Sequence, residues 1–166
     1  MTTTLPAIAP ATYRVDPSRS SVRFTARELF GLIKVDGQIS VTGGEIVVAD
    51  DLTLSRVSAT LDAASIDTSH KRRDSDLRSK RFLDTARHPT ITFSSREVGA
   101  GTVTGVLCVH GVGQRVTLDV TAKAAPDGYR FTANAQLDRR AFGVTAARGL
   151  IGPLIDVTIE VVASSV

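Results

Sequence analysis

Period-two alternation is the feature that most narrows what this chain can fold into. In "YRFTANAQLD" the apolar Tyr129, Phe131, Ala133, Ala135 and Leu137 alternate with Arg130, Thr132, Asn134, Gln136 and Asp138. An extended strand separates such residues onto two faces, because its successive side chains point to opposite sides. "LIDVTIEVV" repeats the pattern with Ile155, Val157, Ile159 and Val161 against Asp156, Thr158 and Glu160, and "RVTLDVTA" with Val116, Leu118 and Val120. Weaker alternations run through Val22–Phe24–Ala26, Ile39–Val41, Val57–Ala59–Leu61–Ala63, Ile91–Phe93 and Val103–Leu107–Val109. Turn signals separate them: Asp16-Pro17, Gly43-Gly44, Gly99 and Gly101, Gly111 to Gly113, Pro126-Asp127-Gly128, and Gly149 to Pro153. The pattern predicts a mainly β protein of roughly eight antiparallel strands, as a barrel or a sandwich rather than parallel βαβ units.

One stretch breaks the alternation. "KRRDSDLRSKRFLD", starting at Lys71, is a dense charge run. From Thr68 to Arg87 helix formers dominate, Ser69 is available as an N-cap and Pro89 follows the end. Leu77, Phe82 and Leu83 are nearly its only apolar residues, so a helix here has a narrow stripe to bury and lies on the barrel, not inside it.

With 166 residues the chain fits a single domain over 13–166, preceded by a Thr-, Ala- and Pro-rich stretch, residues 1–12, that reads as a flexible arm. One cysteine, Cys108, excludes an internal disulfide framework, and its mid-strand place in "VLCVH" reads as a buried inert thiol. The N-terminus lacks a basic n-region and an apolar h-region, and no run has transmembrane length, which predicts a cytoplasmic protein with no stable membrane insertion. A net charge of +3 favours anionic partners without choosing among them.

An eight-stranded barrel is the size at which side chains just fill the interior or leave room for one ligand. Here the apolar faces include Ala26, Ala59, Ala63, Ala133 and Ala135, and the chain has no tryptophan to plug the middle. Such a barrel is under-filled, and an empty apolar cavity forfeits dispersion contacts. Alanine faces also suit two closely packed sheets, so pattern alone leaves both architectures open.

Catalytic signals are thin. His70, His88 and His110 stand in separate segments without metal-ligand spacing, and no G-x-S-x-G elbow occurs. No metal, cofactor or catalytic residue is predicted. Asp74 beside Arg72 and Arg73 reads as a structural ion pair that anchors the helix. Nucleic-acid binding would need aromatics on exposed strand faces, whereas Tyr129, Phe131, Phe24 and Phe93 fall on the apolar ones.

Read in order, several blocks resemble the YceI-like family of polyisoprenoid-binding, lipocalin-like β-barrel proteins. They are "YRVDPSRSSVRF"; "SIDTSHKRRDSDLRSKRFLDTARHPTITFSS", with Asp67-Thr68, Arg73-Asp74, Leu77, Phe82, Asp84 and Pro89; "VTGVLCVHGVGQRVTLDV"; and "LDRRAFGVT", with Arg139, Phe142 and Gly143. The resemblance implies a barrel that takes a long isoprenoid chain, with a helix packed over it. Where the family often carries histidines this chain has Arg19, Arg27 and Asp76, and after Gly111-Val112 it has Gly113 and Gln114 in place of a threonine and a basic residue.

The combined expectation is a non-enzymatic carrier or store for an isoprenoid lipid, a polyprenyl phosphate or an isoprenoid quinone. Its cavity would be lined by Phe24, Ala26, Leu61, Ile91, Phe93, Leu107, Phe131, Ala133 and Phe142. Arg27, Arg72 and Arg73 are candidates for the ligand's head group, since arginine suits bidentate phosphate contacts. The alternatives are a lipid-modifying enzyme with its active site in the same cavity, and a packed β-sandwich that serves as an interaction module. A homodimer through the helix or an open sheet edge is compatible with this reading, although no apolar stripe is long enough to specify one.

Overall fold

The alternating segments become nine antiparallel strands of one sheet that closes on itself. The structure is a computed structural model that describes residues 7–147 and 149–166. The strands are β1 (Ala11–Val15), β2 (Ser21–Glu28), β3 (Ile33–Val48), β4 (Arg56–Asp67), β5 (Thr90–Val98), β6 (Thr102–Val109), β7 (Val112–Ala125), β8 (Gly128–Asp138) and β9 (Leu154–Ser165), with one helix, α1 (Lys71–Arg78). Neighbours follow the order β1-β3-β2-β9-β8-β7-β6-β5-β4, and β3 also pairs with β4, which joins the two ends.

Nine strands make eight columns, because β1 and β2 share one. β2 pairs with the first half of β3 and the start of β9, while β1 pairs with Glu45–Val48 of β3 and Ala163–Ser165 of β9. Between them the chain steps out of the ladder as a 3-10 turn over Pro17–Arg19, where the missing N–H of proline makes a continuous strand unfavourable. Asp16 caps this turn by accepting from the Ser18 N–H at 2.9 Å. Of the arm read over residues 1–12, residues 1–6 lie outside the described residues, and Ala11 and Thr12 already belong to β1 opposite Val48 and Val47.

Gly43-Gly44 is not a turn. Both glycines lie inside the 16-residue β3, at a register irregularity between Val41 and Gly43. A β-bulge accounts for them, since glycine in a strand marks a bend or a close approach as readily as an end. A Cβ at Gly44 would come within 2.7 Å of the Ser58 carbonyl oxygen. The other sandwich-like reading is corrected by the same closure: the sheet is one continuous wall, not two stacked layers. Cys108, in β6, is half-buried rather than buried.

The helix is shorter than the charge run that announced it. It ends at Arg78, and its N-cap is His70, whose Nδ1 accepts from the Arg73 N–H at 3.1 Å, with Ser69 one residue outside at φ 60°. At 3.6 residues per turn, a helix continued past Arg78 would place Phe82 and Leu83 about 140° and 240° around from Leu77. Breaking into turns lets all three face the barrel, and Phe82 packs with Phe142 and Val144 beneath it. The helix itself lies outside; the turns that follow it cover one end of the barrel.

Asp74 ties that segment down. It is buried and accepts from the Thr68 N–H at 2.8 Å and from the Thr68 hydroxyl, while Arg73 donates from Nε to the same hydroxyl and from Nη2 to the Thr68 carbonyl, each at 2.8 Å. Burial pushes the Asp74 carboxyl up, but the Thr68 hydrogen bonds and the nearby Arg78 and Arg73 charges outweigh it and hold the group below its ordinary value. A carboxyl depressed by folding contributes stability above its unfolded pKa and loses it as pH falls through the folded value. Asp74→Asn should therefore lower stability by about 2 kcal/mol at neutral pH, or about 4–8 °C in Tm, and flatten the acid limb of the Tm–pH curve. Calorimetry between pH 3 and pH 7 checks both effects.

Candidate functional site

The inward faces of the eight columns enclose a cavity of about 340 Å³ whose wall is almost wholly apolar. Along β9 the inward Ile155, Val157, Ile159 and Val161 are half-buried while the outward Asp156, Thr158 and Glu160 are exposed. In a filled core the inward set would lose its accessible surface altogether. Here it keeps some because it faces space, which decides between a hollow barrel and a packed one.

Phe24, Ala26, Leu61, Ile91, Phe93, Leu107, Phe131, Ala133 and Phe142 all line this cavity. So do Ala59 and Ala135, which contribute little bulk, whereas the buried Ala63 does not reach it. Two of the large side chains also leave the middle open, because glycines stand beneath them. A Cβ on Gly37, which lies opposite Phe24 in the β2–β3 ladder, would come within 2.3 Å of the Phe24 ring, and one on Gly105 within 2.6 Å of the Phe93 ring. Each ring occupies the space a side chain on its neighbour would take, and so lies along the wall rather than across the lumen.

The cavity runs from one end of the barrel to the other. At the helix end, where α1, the β2–β3 loop, the β6–β7 turn and the β8–β9 loop gather, it is bounded by Leu77, Phe82, Leu83, Phe142, Val144 and Ile151. At the opposite end Ile8, Leu52, Val98 and Val103 contribute.

The three arginines named from the sequence stand elsewhere. Arg27 and Arg72 are exposed and Arg73 is held by Thr68; none lies on the cavity wall. The arginine that does is Arg139, buried at the start of the β8–β9 loop. Its guanidinium donates to the carbonyl oxygens of Val144 (2.9 Å), Ala146 (2.8 Å), Ile151 (3.0 Å) and Gly152 (3.2 Å), which gathers the loop over the barrel end. Asp138, capping the 3-10 turn over Arg139–Phe142, is held down to about 2 by side-chain and backbone hydrogen bonds from Arg140. Arginine sequence position alone could not separate these roles; the family block "LDRRAFGVT" was the available signal for Arg139.

The histidines are less scattered than their spacing suggests. His70 caps α1, but His88 and His110 meet with ring centroids 5.1 Å apart. Together with the buried Asp84 they place one potential ligand atom each within 4.8 Å of the others. A two-histidine, one-carboxylate set of this kind can ligate a divalent transition ion; here the carboxylate is buried and the two imidazoles are half-buried. Nδ1 of His110 lies 3.2 Å from the Phe142 carbonyl oxygen, which orients the ring. Sequence spacing hid the cluster because the fold brings the segment after α1 against the two-residue β6–β7 turn.

The comparisons agree with this geometry. The YceI-like domain family matches residues 13–163. The chain belongs to the YceI-like family. A UPF0312 protein of Serratia proteamaculans is 34% identical over 129 residues, covering 72% of this chain and 67% of that protein. A second, from Ectopseudomonas mendocina, is 36% identical over 118 residues, covering 64% and 62%. These matched stretches leave about a third or more of each relative outside the comparison. Among solved structures, Burkholderia cenocepacia BcnA superposes with a TM-score of 0.79 at 20% identity, covering 91% of this chain and 99% of that one. A polyisoprenoid binding domain from Saccharophagus degradans gives 0.69 at 14% identity, over 95% and 100%. Both show the shared fold.

At three of the positions where this YceI-like chain departs from the family pattern the polar groups are occupied locally, whereas Arg27 is exposed. Arg19 binds Asp16 at 2.8 Å, Asp76 faces Arg81 at 3.4 Å, and Gln114 donates to the Ala141 carbonyl at 2.8 Å. The glycine under Phe24 gives the direct test of the hollow. Gly37→Ala should drive the Phe24 ring toward the lumen, at a cost of about 1–3 kcal/mol, and shrink the space for a guest. Denaturant unfolding and the uptake of an environment-sensitive apolar dye report the two consequences.

Proposed function

We propose that this protein is a non-enzymatic carrier or store that shields the hydrocarbon chain of an isoprenoid lipid, a polyprenyl phosphate or an isoprenoid quinone, inside the barrel. The observation that carries the reading is the apolar cavity itself, about 340 Å³ within a narrow closed wall. A 12-residue strand such as β9 spans about 40 Å, or about 30 Å along the axis at the usual barrel tilt. A space of that shape suits a long, thin guest better than a compact one. Each Å² of apolar surface removed from water contributes about 25 cal/mol, so a chain binds along its length without needing many polar contacts. Kinship of fold with a domain named for polyisoprenoid binding supports the choice of chain.

Chemistry on the wall favours carriage over turnover. Among the described residues lining the cavity, Arg139 is the one ionisable group, and its donors hold loop carbonyls. General acid–base catalysis needs a group that can exchange a proton near operating pH, which a guanidinium cannot do. Among the described residues no helix is long and apolar enough to cross a membrane.

Organic extraction of the purified protein followed by mass spectrometry should recover an isoprenoid lipid in stoichiometric amount from a native-like host. Ala133→Phe, which places a ring across the lumen from β8, should cut the recovered lipid severalfold while the far-ultraviolet circular dichroism stays that of a β-barrel. A lipid-free extract from the unaltered protein would refute the carrier reading.

A further inference from the structure

The helix end of the barrel carries apolar side chains that fold no part of the protein. Phe30 is 90% exposed and Leu32 85%, and beside them stand Leu29 (42%), Ile33 (44%) and Leu150 (56%). Single exposed apolar residues are ordinary, but five together at one end are a patch. The patch is built rather than loose. The Leu29 N–H donates to the Leu150 carbonyl at 2.8 Å, the Gly152 N–H donates to the Arg27 carbonyl at 2.7 Å, and Glu28 bridges to Ile151, so the β2–β3 loop and the β8–β9 loop form one surface. Leu29 and Phe30 take φ of 49° and 58°, a region uncommon for bulky residues, in order to present this tip.

Charge divides between the helix end and the rest of the chain. The segments that gather at the helix end, residues 27–34, 67–89 and 138–153, contain eleven described Lys and Arg against six Asp and Glu; the rest of the chain has eight against eleven. Arg27, Arg72, Lys80 and Arg87 are exposed at that end, and none makes an ion pair among the described residues. An apolar tip inside a basic collar, on a body whose remainder is net acidic, matches an anionic bilayer surface in both chemistry and orientation. The apolar surface is also continuous with the cavity, since the exposed Leu150 adjoins Ile151 on the cavity wall.

We propose that the helix end docks on an anionic membrane, with Phe30 and Leu32 entering the headgroup layer and the surrounding arginines and lysines meeting lipid phosphates. Docking there sets the lumen over the bilayer from which a chain would be loaded or to which it would be returned, and in that purpose the inference rests on the carrier reading. Contact is peripheral and reversible, as two large apolar side chains and a basic collar provide, and needs no spanning segment.

Flotation of the full chain with vesicles of phosphatidylcholine alone, and of phosphatidylcholine with phosphatidylglycerol, tests the docking, with the lipid content of each protein preparation measured in parallel. The protein should float with the anionic vesicles, less so at raised salt, and little with the neutral ones. Phe30→Ser with Leu32→Ser should lower the bound fraction about tenfold or more, and Lys80→Glu with Arg87→Glu should lower it severalfold, both while the far-ultraviolet circular dichroism stays that of the unaltered protein. Absence from the anionic vesicles, or equal flotation of the Phe30/Leu32 variant, overturns the proposal. So does retention on RNA without flotation, which would assign the basic end to nucleic acid, and so does a dimer that the Phe30/Leu32 variant dissolves without vesicle binding, which would assign the patch to a second copy of the chain. Lipid-filled protein that never floats removes the docking and leaves the carrier reading intact; floating protein with an empty lumen does the reverse.

Discussion

Closure of the sheet governs the rest of this structure. Because β3 pairs with β4 as well as with β2 and β1, no strand edge is free to turn its apolar face elsewhere, and every inward side chain must share one lumen. The bulk supplied to that lumen is small: alanines at Ala26, Ala59, Ala133 and Ala135, and phenylalanines that lie along the wall over Gly37 and Gly105. An empty apolar space of about 340 Å³ would, at about 24 cal/mol per Å³, forfeit on the order of 8 kcal/mol of contact. That rivals the whole stability of an ordinary domain. A few larger residues on the wall could recover much of it, and this chain places alanines there instead.

Much of the wall was legible because alternation names the inward face of each strand, although it leaves closure of the sheet open. Wherever apolar and polar residues strictly alternate, as in β7, β8 and β9, the inward set can be named residue by residue, and of those residues all but Tyr129 line the lumen. Legibility failed where the backbone departs from period two. Gly43-Gly44 imitates a turn because a bulge and a turn both call on glycine. β1 is short and shares a column with β2, so its pairing depends on two partners far away in sequence. The short charged helix was legible, but its end was not, because composition carries no information on where Phe82 must point; packing against Phe142 and Val144 ends the helix at Arg78.

The same reasoning sorts the polar residues at the helix end, which sequence alone could name but not rank. Asp74, Thr68 and Arg73 bond to one another and fix the start of the segment; Asp138 and Arg140 cap the turn after β8; Arg139 gathers four loop carbonyls. These are anchors. Asp84, His88 and His110 add a contact between the segment after α1 and the β6–β7 turn, visible only once both are in place. The roof over this end of the lumen is thus held by directional bonds, whereas its underside, Leu77, Phe82, Leu83 and Ile151, is apolar and non-directional. Such a roof keeps its shape while presenting nothing specific to what lies below it.

That division bears on selectivity. A wall with almost no polar atoms discriminates among guests by girth and length, because each added segment of chain gains much the same burial until the lumen is full. Head groups would then be distinguished, if at all, outside the lumen, where the helix end offers cations in several geometries rather than one bidentate socket. For the proposed carrier this places affinity and address on different parts of the molecule: the chain decides how tightly a lipid is held, and the charged, apolar-tipped end decides where it is picked up. Separation of this kind is physically reasonable for a protein that must release what it binds, since a guest held by its head as well as by its chain would have to break both sets of contacts at once.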